Sequence, residues 1–287
     1  MHAYSYDDAT TRNIGWLTRH EQDSLRHKRV AIGGLGGVGG VHLLTLSRLG
    51  IGKFHLADFD SFSLANFNRQ AGATMSTLGQ DKLDVMTRQA LDINPELEIK
   101  AFPLGVNQAN LEEFLEGVDL YVDGLDFFAF EARQQTFAAC WQKSVPAVTA
   151  APLGMGSAVI NFIPGGMSFD DYFCFDDGPE VEKPLRFLLG LAPARLHMRY
   201  LVDPSKIDLA NRKGPSTIMA CQLCAGMAAT EALKILLDRG NVDAAPVGLH
   251  FDAYTNKFKR TWRPGGNRNP LQRLFIGLAK KRLQSTR

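Results

Sequence analysis

The chain has 287 residues, 45% of them hydrophobic and 22% charged, with a formal net charge of +2. That length holds one large α/β domain or two small ones, and the composition builds a core of ordinary size. No apolar run approaches the roughly 20 residues of a membrane-spanning helix, the N-terminus has two acids and no apolar stretch of the signal-peptide kind, and Cys140, Cys174, Cys221 and Cys224 are too irregularly spaced for a disulfide framework, so the expected location is the cytoplasm.

The charge is unevenly distributed. Residues 257–287 carry ten Lys/Arg and no acid, leaving 22 basic and 30 acidic residues in 1–256, a net −8. The expected organisation is one domain over 1–256, with an irregular crossover at about 167–214, and a separate basic tail over 257–287.

In chain order, Thr18 and Glu21 have the spacing of a capping box and start a helix that runs to about residue 28. Arg12 precedes that helix and has no evident local partner. Val30, Ala31 and Ile32 read as a short strand that breaks into the glycine-rich turn Gly33–Gly40. A helical run follows and stops at Gly50, and a second strand ends on Asp58. Strand, glycine turn, helix, strand and terminal acid form a nucleotide-binding βαβ unit. Gly34 permits the tight turn, Gly36 and Gly37 let backbone N–H groups approach a phosphate, and Gly39 lets helix and strand pack closely. The helix N-terminus offers unpaired N–H groups to the anion.

Residues 61–73 are polar and aperiodic. Helical periodicity returns from Leu78 to Asn94-Pro95, followed by a strand over Leu97–Phe102, a helix over Gln108–Leu115 and a buried strand over Asp119–Asp123. A helix over Ala129–Lys143, a short strand at Ala147–Thr149 and a longer one at Gly156–Ile163 continue the alternation. After the crossover, with one helix at Leu185–Leu191, a helix over Pro215–Leu237 and a last strand at Val247–Phe251 complete the domain. The pattern predicts an α/β fold: a doubly wound, Rossmann-like sheet, mostly parallel, with helices on both faces. In the tail, Leu271, Leu274, Phe275, Leu278 and Leu283 fall at near-helical spacing among basic residues. Such a helix either lies on an anionic membrane or a partner, or packs on its own domain.

Four features beyond the glycine turn carry chemistry. Asp58 is placed to hold a ribose hydroxyl pair. Arg69 and Lys82 are two cations near a phosphate-binding turn, suited to a phosphorus centre whose charge is spread over several oxygens. Asp126 follows a buried strand at the edge where ligands bind, and a carboxylate beside a triphosphate most usefully holds Mg²⁺. Together they point to nucleotidyl transfer.

With these residues in view the chain resembles the ThiF/MoeB family, adenylyltransferases related to ubiquitin-activating enzymes. GLGGVG at Gly34–Gly39, DFDSFSLANFNRQ at Asp58–Gln70, GQDK at Gly79–Lys82 and INP at Ile93–Pro95 match in order and spacing, and the likeness extends over Arg12–Lys234. The resemblance implies that Gly37 lines the phosphates of ATP, that Asp58 holds the ribose, and that Asn66, Arg69 and Lys82 contact phosphates. It implies Mg²⁺ on Asp126, and Arg12 reaching the nucleotide of the partner subunit in a homodimer. The reaction it implies is attack by a carboxylate, the C-terminus of a small carrier protein or a peptide, on the α-phosphate, releasing pyrophosphate and leaving an acyl-adenylate. No nucleic-acid partner is expected.

Two departures from the family pattern stand out. Phe127 follows Asp126 where relatives often carry Asn. Zinc-bearing members use two cysteine pairs, whereas Cys221 and Cys224 form the single pair here, so structural zinc is not expected. Some relatives carry a thioester-forming cysteine, and Cys174 is the first candidate for that role. A bystander thiol is the competing reading, because the local sequence is acidic and thiolate activation needs positive charge. Cys221 and Cys224 are expected to pack as small apolar residues. A nicotinamide-dependent dehydrogenase and a non-catalytic adaptor on the same fold are the alternative functions.

Overall fold

The computed structural model describes residues 3–208, 211 and 213–285, and side chains through 281. Helices α1 (Tyr6–Thr10) and α2 (Arg19–His27) precede β1 (Arg29–Gly33), α3 (Gly39–Leu49) and β2 (Lys53–Ala57). The chain continues through α4 (Lys82–Ile93), β3 (Glu98–Phe102), α5 (Leu111–Phe114), β4 (Leu120–Asp123), α6 (Phe130–Gln142), β5 (Ala147–Leu153) and β6 (Gly156–Phe162). The crossover holds α7 (Phe169–Phe173) and α8 (Lys183–Leu191), and α9 (Ile218–Leu236), β7 (Val247–Asp252), β8 (Lys257–Trp262) and α10 (Pro270–Ser285) follow.

Local signals set the boundaries. The Thr18 hydroxyl accepts from Glu21 N at 3.1 Å while the Glu21 carboxylate accepts from Thr18 N at 2.7 Å, the reciprocal capping box that starts α2. Gly50 ends α3 with φ of +102°, a conformation open to glycine. In α9 the Lys234 ammonium donates to Glu231 at 2.5 Å, three residues back on the same helix.

The eight strands form one sheet in the order β3-β2-β1-β4-β5-β6-β7-β8. Strands β1 to β5 are parallel and β6 to β8 antiparallel. Alternation along the strands divides the core by face. Val30, Ile32, Phe54, Leu56, Leu120, Val122, Val148 and Val159 pack with α3, α4 and α9, while Ala31, Tyr121, Ala147, Ala158, Ile160 and Phe162 pack with α6 to α8. Helices therefore cover both faces, and β1, flanked by β2 and β4, is the point where the winding reverses.

Several expectations are corrected. Helix α5 is only four residues, and β5 extends four residues past Thr149 as it pairs with β6 in a hairpin. Residues 257–262, assigned to the tail, are β8, paired with β7 from Asp252↔Lys257 to Val247↔Trp262, so a boundary at 256 falls inside a β-hairpin. Helix α10 packs on α8 through Phe275, Ile276 and Ala279, with Gln272 Nε2 donating to Leu189 O at 2.6 Å. Leu271, Leu274 and Leu278 point outward instead, and the Leu283 side chain lies outside the described residues. Helix α9 is long and apolar enough by length and composition to cross a bilayer, contrary to the expectation of no such segment. It packs against α3, β5 and β6 in the core.

Candidate active site

The carboxyl ends of β1, β2 and β4 meet around the glycine turn. Gly34 has φ of +84° and its N–H donates to Ala57 O at 2.7 Å, tying the turn to the end of β2. A Cβ on Gly39 would lie 1.7 Å from Gly34 O, which is why the start of α3 has to be glycine for the helix to sit on the strand. Gly124, absent from the sequence-derived site, is held to the same standard: its Cβ would lie 2.5 Å from Gly34 O and 2.7 Å from Gly39 Cα. A glycine directly after a strand that neighbours a glycine turn is the signal that identifies it.

Asp58 sits at the end of β2 and closes back on the turn. One carboxylate oxygen accepts from Leu35 N at 2.6 Å and the other from Asp60 N at 2.8 Å. Burial pushes its carboxyl above the usual range, opposed by these two N–H donors and by the Lys82 charge. Two residues on, the Asp60 carboxylate accepts from the Lys82 ammonium at 2.9 Å. The Lys82 backbone N–H also donates to Asp60 O at 2.9 Å, fixing the start of α4 beside the turn. Asp60 was not among the residues picked from the sequence, although its spacing from Asp58 marks it.

Arg69 reaches the turn from the other side. Its guanidinium donates to Ala65 O at 3.0 Å and to Asn68 Oδ1 at 2.9 Å, and its Nε lies 3.6 Å from where a Gly37 Cβ would be. The Cys221 sulfur is 3.3 Å from the same point, so this cysteine borders the phosphate turn as well as filling space. Asn68 Nδ2 donates to Ser216 O at 3.0 Å, anchoring the arginine-bearing loop to the segment that enters α9.

Asp126 follows β4 on an exposed loop, with one carboxylate oxygen accepting from Phe128 N at 2.9 Å. The structure thus gathers Gly34, Gly36, Gly37, Gly39, Asp58, Arg69, Lys82 and Asp126 at one edge of the sheet. Asn66 belongs to the same loop, but its side-chain oxygen accepts from Ser63 N at 2.9 Å and caps its own turn.

Two residues lie elsewhere. Arg12 is exposed in a segment anchored to the far end of α3, where Asn13 Nδ2 donates to Leu49 O at 3.3 Å. Eleven residues of helix, about 16 Å, separate that end from the glycine turn. Arg12 does not join the site of its own chain.

Cys174, the thioester candidate, is 3% exposed at the αL residue that caps α7, and its thiol donates to Asp171 O at 3.0 Å. Burial pushes that thiol up, against the partial opposition of Arg268 and Arg186. A buried, hydrogen-bonded, protonated thiol has the opposite character to a thioester nucleophile, and in this arrangement Cys174 is a packing residue.

The chemistry of the site is that of a polyphosphate. Glycine N–H groups and a helix N-terminus lie at the turn with two cations near it, a set that suits a polyphosphate, and the carboxylates of Asp58 and Asp126 follow strands β2 and β4, which flank β1. Asp126 supplies a hard oxygen ligand, and among the described residues no group of three or more His, Cys, Asp or Glu is arranged for a metal. One carboxylate with substrate phosphates and water is the donor set that suits Mg²⁺.

The chain is 33% identical over 149 residues to the tRNA threonylcarbamoyladenosine dehydratase of Bacillus subtilis (strain 168), covering 52% of this chain and 56% of that protein. It is 33% identical over 141 residues to the molybdopterin-synthase adenylyltransferase of Escherichia coli (strain K12), covering 49% of this chain and 56% of that protein. The chain thus spans only a little over half the length of these curated relatives. The crystal structure of PaaA superposes with a TM-score of 0.68 at 17% identity, covering 91% of this chain and 74% of that one, a likeness of fold. The model of the ThiF family matches residues 10–273, nearly the whole chain and the whole of the site, and the chain belongs to that family.

Proposed function

We propose that this protein is an ATP-dependent adenylyltransferase that activates a carboxylate, the C-terminus of a small carrier protein or a peptide, as an acyl-adenylate. The observation that carries the reading is the placement of Arg69 beside Gly37 of the glycine turn and of Lys82 beside Asp60, two residues from the Asp58 that closes on the same turn. Hydride transfer has no use for two cations around a phosphate group, whereas displacement at phosphorus does.

ATP enters as a substrate. The turn at Gly34–Gly39 and the N-terminus of α3 receive its phosphates, and Asp58 accepts from the ribose hydroxyls. The incoming carboxylate attacks the α-phosphorus in line, the bond to the β-phosphate oxygen breaks, and pyrophosphate leaves. Arg69 and Lys82 stabilise the charge that develops on the phosphate oxygens, with Asp60 holding the Lys82 ammonium in place. Asp126 is the residue that would hold Mg²⁺, which supplies charge neutralisation at the phosphates when bound. The distance of Arg12 from its own site supports a homodimer in which it serves the partner's nucleotide.

The test is to incubate the protein with ATP and candidate carriers or peptides and search for an AMP adduct by mass spectrometry. An adduct on a terminal carboxyl, with pyrophosphate released, is the expected result. Reduction of a nicotinamide, or an unchanged biological activity in Arg69→Ala and Lys82→Ala, would overturn the proposal in favour of a dehydrogenase or an adaptor.

A further inference from the structure

Arg133, in the first turn of α6, is 2% exposed, and its guanidinium is directed at the end of β4 and the loop that follows it. Nε donates to Asp123 Oδ2 at 2.8 Å. Nη2 donates to the carbonyls of Leu125 at 2.8 Å and Asp126 at 3.0 Å, and Nη1 to that of Phe127 at 3.3 Å. The Asp123 oxygen also accepts from Thr149 Oγ1 at 2.8 Å, so the carboxylate is fixed from the β5 side as well. The guanidinium carbon lies 4.6 Å from the centroid of the Phe187 ring in α8, within cation–π range.

A buried ion pair contributes little net stability once desolvation is counted. What this one supplies is geometry. A single planar fork bonds three successive carbonyls, an arrangement that lysine cannot reproduce. With those carbonyls turned inward, residues 125–127 curl around the guanidinium, and the Asp126 side chain is left on the outside of the curl. The loop is pinned at its other end by Gly124 N donating to Gly33 O at 2.9 Å, directly beside the glycine turn. Phe187 in turn packs on Phe127 at 5.3 Å between ring centroids, so α8 of the crossover touches both the clamp and the loop.

We propose that Arg133 is the positioning residue of the metal-holding carboxylate: its fork sets the 125–127 curl that presents Asp126 beside the glycine turn, and Phe187 ties that curl to the crossover. The inference rests on the reading of Asp126 given under the proposed function. Groups that orient a metal ligand typically affect metal affinity by about 10- to 100-fold when changed.

The test uses Mn²⁺ as a spectroscopic stand-in for Mg²⁺, titrated by electron paramagnetic resonance into the full chain saturated with ATP. A parallel titration measures ATP binding in EDTA. Arg133→Lys keeps a cation for Asp123 but loses the fork. It is expected to weaken Mn²⁺ binding to the ATP complex about 10-fold, with metal-free ATP affinity within about twofold of the parent. Phe187→Leu keeps the apolar bulk and loses the ring face, and is expected to shift Mn²⁺ affinity in the same direction by a smaller factor. It carries the test alone if Arg133→Lys does not fold. Asp126→Asn is the reference for a lost ligand. If Asp126→Asn weakens Mn²⁺ binding while Arg133→Lys and Phe187→Leu bind it as the parent does, the positioning role is wrong. If the parent does not bind ATP, the proposed function itself fails, and that result is separate from the first.

Discussion

The Lys82 ammonium lies 2.9 Å from the Asp60 carboxylate, with 7% of the lysine side chain exposed against 56% of the aspartate side chain. A buried cation thus has an exposed counter-ion. Replacing Lys82 with Ala is expected to lower ATP–pyrophosphate exchange by about 100-fold or more, the usual effect of removing one preorganised charge-stabilising donor. Asp60→Asn is expected to leave ATP affinity within about threefold while lowering turnover, because the lysine stays but loses the anchor that aims it. Steady-state exchange kinetics on both variants check the split.

Asp58 joins the end of β2 to the glycine turn through Leu35 N. Asp58→Asn keeps the shape but loses the charge on a buried acceptor, and is expected to weaken ATP binding about 10-fold, the value of one charge-assisted hydrogen bond. Because burial raises this carboxyl above its ordinary value, protonation sets in at a higher pH than for an exposed aspartate. ATP affinity in the parent should therefore fall as pH drops towards that range, and Asp58→Asn should lose this acidic limb. Calorimetric titration across the acidic range measures both.

The contact between Gly39 and Gly34 O leaves no room for a methyl group. Gly39→Ala forces α3 away from β1, with an expected cost of about 3 kcal/mol from overpacking against backbone. Gly79 has open space around it but φ of +81°, so Gly79→Ala is strained only through its backbone and is expected to cost about 1 kcal/mol. Denaturant unfolding of the two variants ranks them.

His42, His197 and His250 are held neutral by burial, each with its pKa lowered from 6.5 to about 4. Both ring nitrogens of His42 and of His250 lack a hydrogen-bond partner among the described residues. The unfolded chain takes up protons on these residues below about pH 6.5, whereas the folded chain resists until about pH 4. The stability they confer is present above the unfolded value and is lost as pH falls through that window. Urea unfolding at pH 7 and pH 5 should show lower stability at pH 5, and His250→Phe should flatten the difference.

The stretch from Arg29 to Gln70 was legible because each of its parts answers to a local rule: glycine where a Cβ would collide, an acid at a strand end, a polar loop carrying one arginine. The alternation of helices and strands gave the sheet for the same reason. The pattern failed where tertiary pairing decides. Lys257–Trp262 alternates weakly among basic residues, and only its register with β7 makes it a strand. The leucines of α10 lie at helical spacing, yet the buried face is built on Gln272, Phe275 and Ile276, because Leu189 and Leu185 of α8 select it. Asn66 matches a phosphate-contact position by motif, and the fold shows in addition that its side-chain oxygen accepts from Ser63 N, a local cap the motif does not announce. Cys174 stood out by its isolation in sequence, whereas burial among Tyr172, Phe173 and Phe175 is a property of the folded crossover. Arg133 gave no signal at all, since an arginine inside a helical pattern reads as surface until the loop it clamps is known.

The most direct measurement follows one oxygen. A candidate carrier or peptide is prepared with oxygen-18 in its terminal carboxylate, and the products are collected after incubation with ATP and cleavage of the activated carboxyl by a nucleophile at the acyl carbon. Attack at the α-phosphorus predicts heavy oxygen in AMP and none in pyrophosphate. Heavy oxygen in orthophosphate, with ADP as the nucleotide product, would mean that the γ-phosphate is the one attacked and would contradict the account.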